Sequence, residues 1–144
     1  MKKSLRIQTL VDLAKRKEDA AAQKFAQDKA LVEASVSKLQ ELKEYSEQYE
    51  SERNLLGLSP YLTTNYQHFV DRVKQAIVQQ EAAVVRAEQQ AGMSMRLWLQ
   101  ERSKTQSMDW LKEKNHKAEQ LIESKQEQVG SDEFAMRRFW DTSH

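Results

Sequence analysis

The scarcity of helix breakers constrains this chain more than any other feature. It contains one proline, and apart from Gly92 its helix breakers are confined to Gly57-Leu58-Ser59-Pro60 and to Gly130 near the end. Long segments without proline on either side can stay helical, whereas a cluster of turn residues favours a reversal of the chain. We therefore predict an all-α fold, a long antiparallel two-helix coiled coil that forms an α-helical hairpin. The expected single domain has helix one at about 5–56, a turn at 57–64, helix two at about 65–129 and a short C-terminal segment at 131–144.

Composition argues against a compact enzyme. The 144 residues are 39% hydrophobic and 31% charged, enough for one apolar seam but little for a globular core. The net charge is +1, so no overall field favours nucleic acid or an anionic membrane. No apolar run reaches the length of a signal peptide or of a membrane span. We expect a cytoplasmic protein that approaches the membrane only through a partner.

Both segments carry apolar residues at steps of three and four, the pattern of a coiled-coil seam. Asp28, Ser35 and Ser46 lie on or beside the first stripe and make it irregular. The predicted stripe of helix one is Leu10, Leu13, Ala14, Ala21, Phe25, Val32, Val36, Leu39, Leu42, Tyr45, Tyr49 and Leu56. The predicted stripe of helix two is Tyr66, Phe69, Val70, Val73, Ala76, Ile77, Val84, Ala87, Ala91, Met95, Trp98, Thr105, Leu111, Ala118, Ile122 and Val129.

The unequal lengths of the two helices predict both contacts and an overhang. If the chain reverses near Pro60, Phe25 should lie near Trp98, and Tyr49 near Phe69 or Val73. Helix two should then lack an intramolecular partner from about residue 118 onward. A lone helix is marginal in water unless its apolar face finds another surface, so this end is expected to bind a partner.

Two further groups of large side chains favour protein binding. After Gly130, residues 131–140 read as a short amphipathic piece that Ser131 could cap, and it is rich in aromatics. A frayed terminus is the alternative to a partner-binding segment. Around the chain reversal, the second group fills part of the seam and leaves part accessible: Tyr45, Tyr49, Leu55, Leu56, Leu58, Tyr61, Leu62, Tyr66 and Phe69.

Motifs of catalysis are missing. The sequence has no phosphate-binding glycine loop, nucleophile elbow or His-Glu-x-x-His pair, and its three histidines are scattered. We therefore expect a non-enzyme with no cofactor, no metal and no nucleic-acid partner. A basic patch at Lys2, Lys3, Arg6, Lys15, Arg16 and Lys17 is more typical of a solvated helix face than of a lipid or protein contact.

Several segments follow the pattern of one known protein family. They include the opening Leu10-Val11-Asp12-Leu13-Ala14 and the stretch Leu42-Lys43-Glu44-Tyr45-Ser46-Glu47-Gln48-Tyr49. A third is Tyr66-Gln67-His68-Phe69-Val70-Asp71-Arg72-Val73-Lys74-Gln75-Ala76-Ile77, and Trp98 and Asp132-Glu133-Phe134-Ala135 also fit the pattern. In these segments the sequence resembles the flagellar export protein FliJ family, and the resemblance covers nearly the full length.

This resemblance implies a component of the flagellar type III protein-export apparatus. Proteins of this family bind the hexameric export ATPase and promote its assembly and activity like a central stalk, contact the cytoplasmic domain of the export-gate membrane protein, and escort export chaperones. The implied location is the cytoplasm, at the inner face of the cell membrane. An injectisome stalk homologue, or a secretion chaperone or scaffold without ATPase contact, remains an alternative.

The resemblance also implies binding residues, while Lys38 and Gln80 lie near the gate surface but depart from the family pattern in residue type. Expected contacts with the export gate are Leu42, Tyr45, Tyr49, Phe69, Val73 and Ala76. Because the overhang and the C-terminal piece need a partner, the expected contacts with the ATPase are Leu121, Ile122, Val129, Phe134, Arg137 and Arg138.

Overall fold

A computed structural model describes residues 2–56 and 60–143, with side chains described for 2–54 and 64–141. The described chain forms helix α1, Lys2–Leu56, and helix α2, Pro60–Ser143, and no strand occurs in these ranges. The predicted class, an all-α antiparallel two-helix coiled coil, is confirmed.

The start of α2 differs from the prediction. It begins at Pro60, whereas the sequence predicts a start at about residue 65. Proline suits the first position of a helix because the amide hydrogen that it lacks would have no partner there. Of the predicted turn at 57–64, residues 57–59 lie outside the described chain and the remainder is helical.

The predicted break at Gly130 is also wrong. Helix α2 runs through this glycine to Ser143, so residues 131–143 continue α2 and Ser131 is not a cap. A glycine inside a helix costs about 1 kcal/mol relative to alanine, which the good helix formers around it can offset. A Cβ at Gly130 would meet no other atom within 4 Å, so no close packing requires the glycine.

The chain divides into two compact units, which are described separately. Residues 19–99 form the central unit, whereas the terminal unit combines the described residues of 1–18 with those of 100–144. In the central unit, the rings of Phe25 and Trp98 stack with centroids 5.8 Å apart, and those of Tyr49 and Phe69 lie 4.3 Å apart. Both predicted pairs are confirmed, and their order establishes that the segments run antiparallel.

The seam of the central unit is more regular than the apolar pattern predicted. On α1 a series of buried and half-buried side chains recurs at alternating steps of four and three, and Ala22 is half-buried beside this series. The series includes Asp28, Ser35 and Ser46, whereas Val36 on α1 and Met95 on α2 are exposed. The α1 seam positions of this unit are Ala21, Phe25, Asp28, Val32, Ser35, Leu39, Leu42, Ser46 and Tyr49.

Asp28 forms a polar layer within that seam and is only 1% exposed. It accepts hydrogen bonds from Ser94 Oγ, from Lys24 Nζ at 3.1 Å and from Gln90 Nε2 at 3.5 Å. The bond from Ser94 lowers the pKa of Asp28 below its ordinary value; burial opposes this shift, and Lys24 and then Gln90 reinforce it. The seam thus retains a carboxylate because both helices supply donors to it.

In the terminal unit, the buried and half-buried side chains of α2 lie in the part of this helix nearest residue 100. Ile7, Val11 and Ala14 are buried on α1, and Thr105 is buried on α2. The predicted seam residues Leu10 and Leu13 are exposed instead. Glu119 is the last half-buried side chain, and those of 120–141 are all exposed.

Candidate protein-binding surfaces

An aromatic cluster, consisting of Tyr45, Tyr49, Tyr66 and Phe69, spans both helices of the central unit. Tyr49 is its centre, since its ring stacks on Tyr66 at 5.0 Å between centroids and also contacts Tyr45 at 6.3 Å. Tyr45 meets Phe69 edge-on at 6.0 Å, and the Arg53 guanidinium lies 4.5 Å from the centroid of Tyr66. Such ring contacts hold the side chains in a fixed arrangement.

The cluster shares most of its members with the predicted export-gate residues. Tyr45 is 50% exposed and stands outside the seam. Tyr66 is buried, at 5% exposure, and contributes to packing. The other five predicted gate residues are half-buried, which gives each of them one side in the seam and one side near the surface: Leu42, Tyr49, Phe69, Val73 and Ala76.

The two positions that depart from the family pattern have different surroundings. Gln80 is half-buried and donates a hydrogen bond from Nε2 to the backbone oxygen of Ser35 at 2.9 Å. Lys38 is exposed. Gln80 therefore has a structural role in joining α2 to α1, whereas the Lys38 side chain reaches solvent.

The large side chains predicted at the chain reversal cannot all be placed. The side chains of Leu55, Leu56, Tyr61 and Leu62, and residue Leu58 altogether, lie outside the described parts of the structure. The candidate surface of the central unit is therefore defined by the aromatic cluster and the half-buried residues beside it.

A second candidate surface is the terminal segment, residues 120–141 of α2. All of its side chains are exposed, and the Arg138 guanidinium lies 5.7 Å from the Phe134 centroid, one turn away on the same helix. The six predicted ATPase contacts are therefore accessible, although α2 does not pause at Gly130. They are Leu121, Ile122, Val129, Phe134, Arg137 and Arg138.

The predicted apolar stripe of helix two ends at Val129, whereas on α2 it continues past Gly130 into the rest of the terminal segment. Ile122, Val129 and Met136 lie seven residues apart, and Trp140 follows one turn later. All four are exposed, at 56–65%. A predicted helix end at Gly130 assigns the residues of this stripe to two separate segments. The seven-residue spacing across the glycine is the signal that would have revealed it.

Other kinds of site are not evident in the described chain. Among its described residues there is no group of three side chains of the types that ligate metals. None of the described helices has a stretch long and apolar enough to cross a membrane.

Comparison with known proteins adds to these observations. The family model described as "Flagellar FliJ protein" matches residues 1–143. The chain is similar to the flagellar FliJ protein of Salmonella typhi, with 26% identity over 134 residues that cover 91% of each chain. It is equally similar to the flagellar FliJ protein of Escherichia coli K12, with 26% identity over 132 residues that cover 90% of each chain.

Proposed function

Because the family match extends over residues 1–143, the chain belongs to the flagellar FliJ family, and on this basis we propose that it works in flagellar protein export. Its role is that of a non-enzymatic coiled coil that binds the export ATPase hexamer and promotes its assembly and activity. It also contacts the cytoplasmic domain of the export-gate membrane protein and escorts export chaperones. It acts in the cytoplasm, at the inner face of the cell membrane.

The observation that carries this proposal is the full-length family match, and two features of the structure support it. The terminal segment carries an apolar stripe, and all side chains of its residues 120–141 are exposed. Apolar side chains at helical spacing are the pattern by which an amphipathic helix enters a groove of another protein. We assign the terminal segment to the ATPase.

The aromatic cluster supports a second partner. Rigid aromatic side chains lose little conformational entropy on binding and are enriched among the residues that dominate interface energies. Tyr45 is the member most available for such a contact, since it is 50% exposed. We assign this surface to the export gate, with the five half-buried residues beside it shaping the contact.

The first experiment measures ATP hydrolysis by the cognate export ATPase with and without this protein, together with hexamer formation by light scattering. The wild-type chain should raise both. The double variant Ile122→Glu with Met136→Glu should abolish the stimulation, because it places two charges on the exposed stripe.

The matched control is Gln120→Glu with Gln128→Glu. It adds the same charge to the same segment, but these exposed positions lie off the stripe. Loss of stimulation in both double variants would attribute the effect to charge alone and contradict the assignment of the stripe. If the folded wild-type protein binds the ATPase without changing its rate, the role would be that of a chaperone or scaffold. Failure to restore motility to a flagellar deletion strain would favour the injectisome alternative.

A further inference from the structure

A second apolar stripe follows the solvent-facing side of α2 in the central unit. Val78, Val85, Gly92 and Leu99 lie at intervals of seven residues, and Ala82 fills the step between the first two. Val78 is 65% exposed and Val85 is 50% exposed. Val78, Val85 and Leu99 are exposed and lie off the seam that α2 shares with α1, whose nearby members are Val84, Ala87 and Ala91, whereas Gly92 is half-buried beside Ala91. A seven-residue apolar spacing is what a helix presents to a coiled-coil partner.

Gly92 is an independent indication that this stripe has a partner. A glycine inside a helix costs roughly 0.5–1 kcal/mol relative to alanine. A Cβ at this position would meet nothing within 4 Å, so packing inside the chain does not require the glycine. On a stripe, a position without a side chain lets a second backbone approach closely.

The charges beside the stripe differ between its two flanks. Glu81 and Glu88 lie on one flank, and Arg86 lies on the other, all three exposed. Because opposite charges attract, the acidic flank of one such helix complements the basic flank of another. Two copies of this helix place acidic flank against basic flank in only one relative orientation. The stripe therefore suits a second copy of the same chain in that orientation.

We infer that this stripe packs in parallel against the same stripe of a second copy of the chain. In a parallel coiled coil, the flank residue just before a seam position on one helix lies opposite a flank residue of the other helix. The second residue has a sequence number five higher than the first. Glu81 then faces the partner subunit's Arg86, and symmetry forms this pair twice. An antiparallel pair centred on Val85 would bring the two acidic flanks together, which like-charge repulsion disfavours.

The contact is reversible rather than permanent. The stripe spans roughly 33 Å of helix at 1.5 Å per residue, which is short for an obligate interface. Gln89 and Arg96 interrupt the stripe. The Arg96 side chains of both copies must extend past the dimer contact to keep their charges in water. The dimer should therefore form and dissociate with concentration.

Sedimentation velocity of the full chain over a concentration series tests self-association. The wild type should show a monomer–dimer equilibrium, and Val85→Glu should abolish it, because a pair of buried carboxylates would face each other. Val36→Glu is the matched control, since Val36 is an exposed valine of α1 in the same unit. Circular dichroism should show equal helicity for both variants. A chain that stays monomeric, or equal loss in both variants, would overturn the inference.

Charge reversal tests the orientation. Arg86→Glu should weaken the dimer roughly tenfold, because two attractive pairs become repulsive. The double variant E81R/R86E should recover the wild-type affinity. If the double variant dimerises no more tightly than R86E, the parallel register is wrong.

Cysteine cross-linking tests the register directly, because the natural chain contains no cysteine. A parallel pair places each stripe position opposite its own copy, within the Cα separation of about 4.4–6.8 Å that a disulfide spans. Disulfide-linked dimers should therefore form with each of the variants Val78→Cys, Val85→Cys and Leu99→Cys. Ser37→Cys, at an exposed position of α1, should not form them. Cross-linking of Val85→Cys alone would indicate an antiparallel pair and contradict the inference.

Discussion

At the scale of single residues, Asp28 is the most unusual member of the seam. A charged group removed from water is costly unless it is paired and hydrogen-bonded. Ser94, Lys24 and Gln90 supply donors to its two oxygens, and Ser94 and Gln90 come from the other helix. A polar layer of this kind fixes the register of a coiled coil, because any slip separates the carboxylate from its donors.

The lowered pKa of Asp28 predicts a pH dependence of stability. A carboxyl group with a lower pKa in the folded state stabilises the fold above its unfolded pKa, and this stabilisation disappears as the pH falls through the folded value. The melting temperature of the wild type should therefore fall more steeply than that of Asp28→Asn as the pH drops below about 4, the ordinary pKa of an aspartate side chain. Thermal melts followed by circular dichroism measure the difference. Asp109→Asn, at an exposed position, should follow the wild type, and parallel curves for all three proteins would contradict the prediction.

Tyr45 offers the sharpest single test of the proposed export-gate surface. Its side chain is 50% exposed, so Tyr45→Ala should change the melting temperature little while weakening binding to the cytoplasmic gate domain by about 2 kcal/mol, the cost typical of an interface hot spot. Isothermal titration with that domain measures the affinity. Phe69 is a poorer probe, because its ring packs 4.3 Å from that of Tyr49 and its removal also weakens the seam. Unchanged affinity in Tyr45→Ala would remove this tyrosine from the interface.

At the scale of helices, the sequence predicts the architecture but not every position in it. The steps of three and four locate both helices and bring Phe25 to Trp98. Hydrophobicity alone then selects Val36 and passes over Ser35, although backbone periodicity puts Ser35 in the seam. A polar side chain becomes acceptable in the seam when a partner satisfies it, as the backbone oxygen of Ser35 does for the half-buried amide of Gln80. That partner comes from the other helix, so single-segment patterns cannot reveal it.

The helix ends and the binding surfaces show the same limit. Proline and glycine mark weak points in a helix, yet Pro60 opens α2 and Gly130 lies within it. Their effect depends on the residues around them, which can offset a cost of about 1 kcal/mol. For the binding surfaces, sequence resemblance selects Leu42 and Val73 but does not show that they are half-buried.

Gly130 gives a prediction at this scale. Gly130→Ala should stabilise the end of α2 by about 0.5–1 kcal/mol and raise the helical signal in circular dichroism, because alanine loses less backbone freedom and its Cβ meets no atom within 4 Å. The reverse change at an exposed position of the same segment, Ala135→Gly, should lower the signal by a similar amount. A fall in helicity on Gly130→Ala would indicate that the glycine adopts a different conformation in solution.

At the scale of the whole molecule, burial is distributed unevenly along α2. Within the central unit, α2 contributes seam residues from Tyr66 to Trp98. Within the terminal unit, the described side chains beyond Glu119 are all exposed. Because tertiary packing supplies most of the stability of a helix in water, the terminal segment should open far more often than the central unit.

Hydrogen–deuterium exchange measures this difference and links it to function. In the free protein at low concentration, amides of 120–141 should exchange much faster than those of 66–98, since local opening there exposes no buried surface. Addition of the export ATPase should slow exchange in 120–141, because a bound partner stabilises the helix that it contacts. The double variant Gln120→Glu with Gln128→Glu should gain the same protection, whereas Ile122→Glu with Met136→Glu should gain none. Equal protection of both regions in the free protein would mean that the terminal segment already packs against another surface, and the ATPase would then have to displace that contact before it could bind.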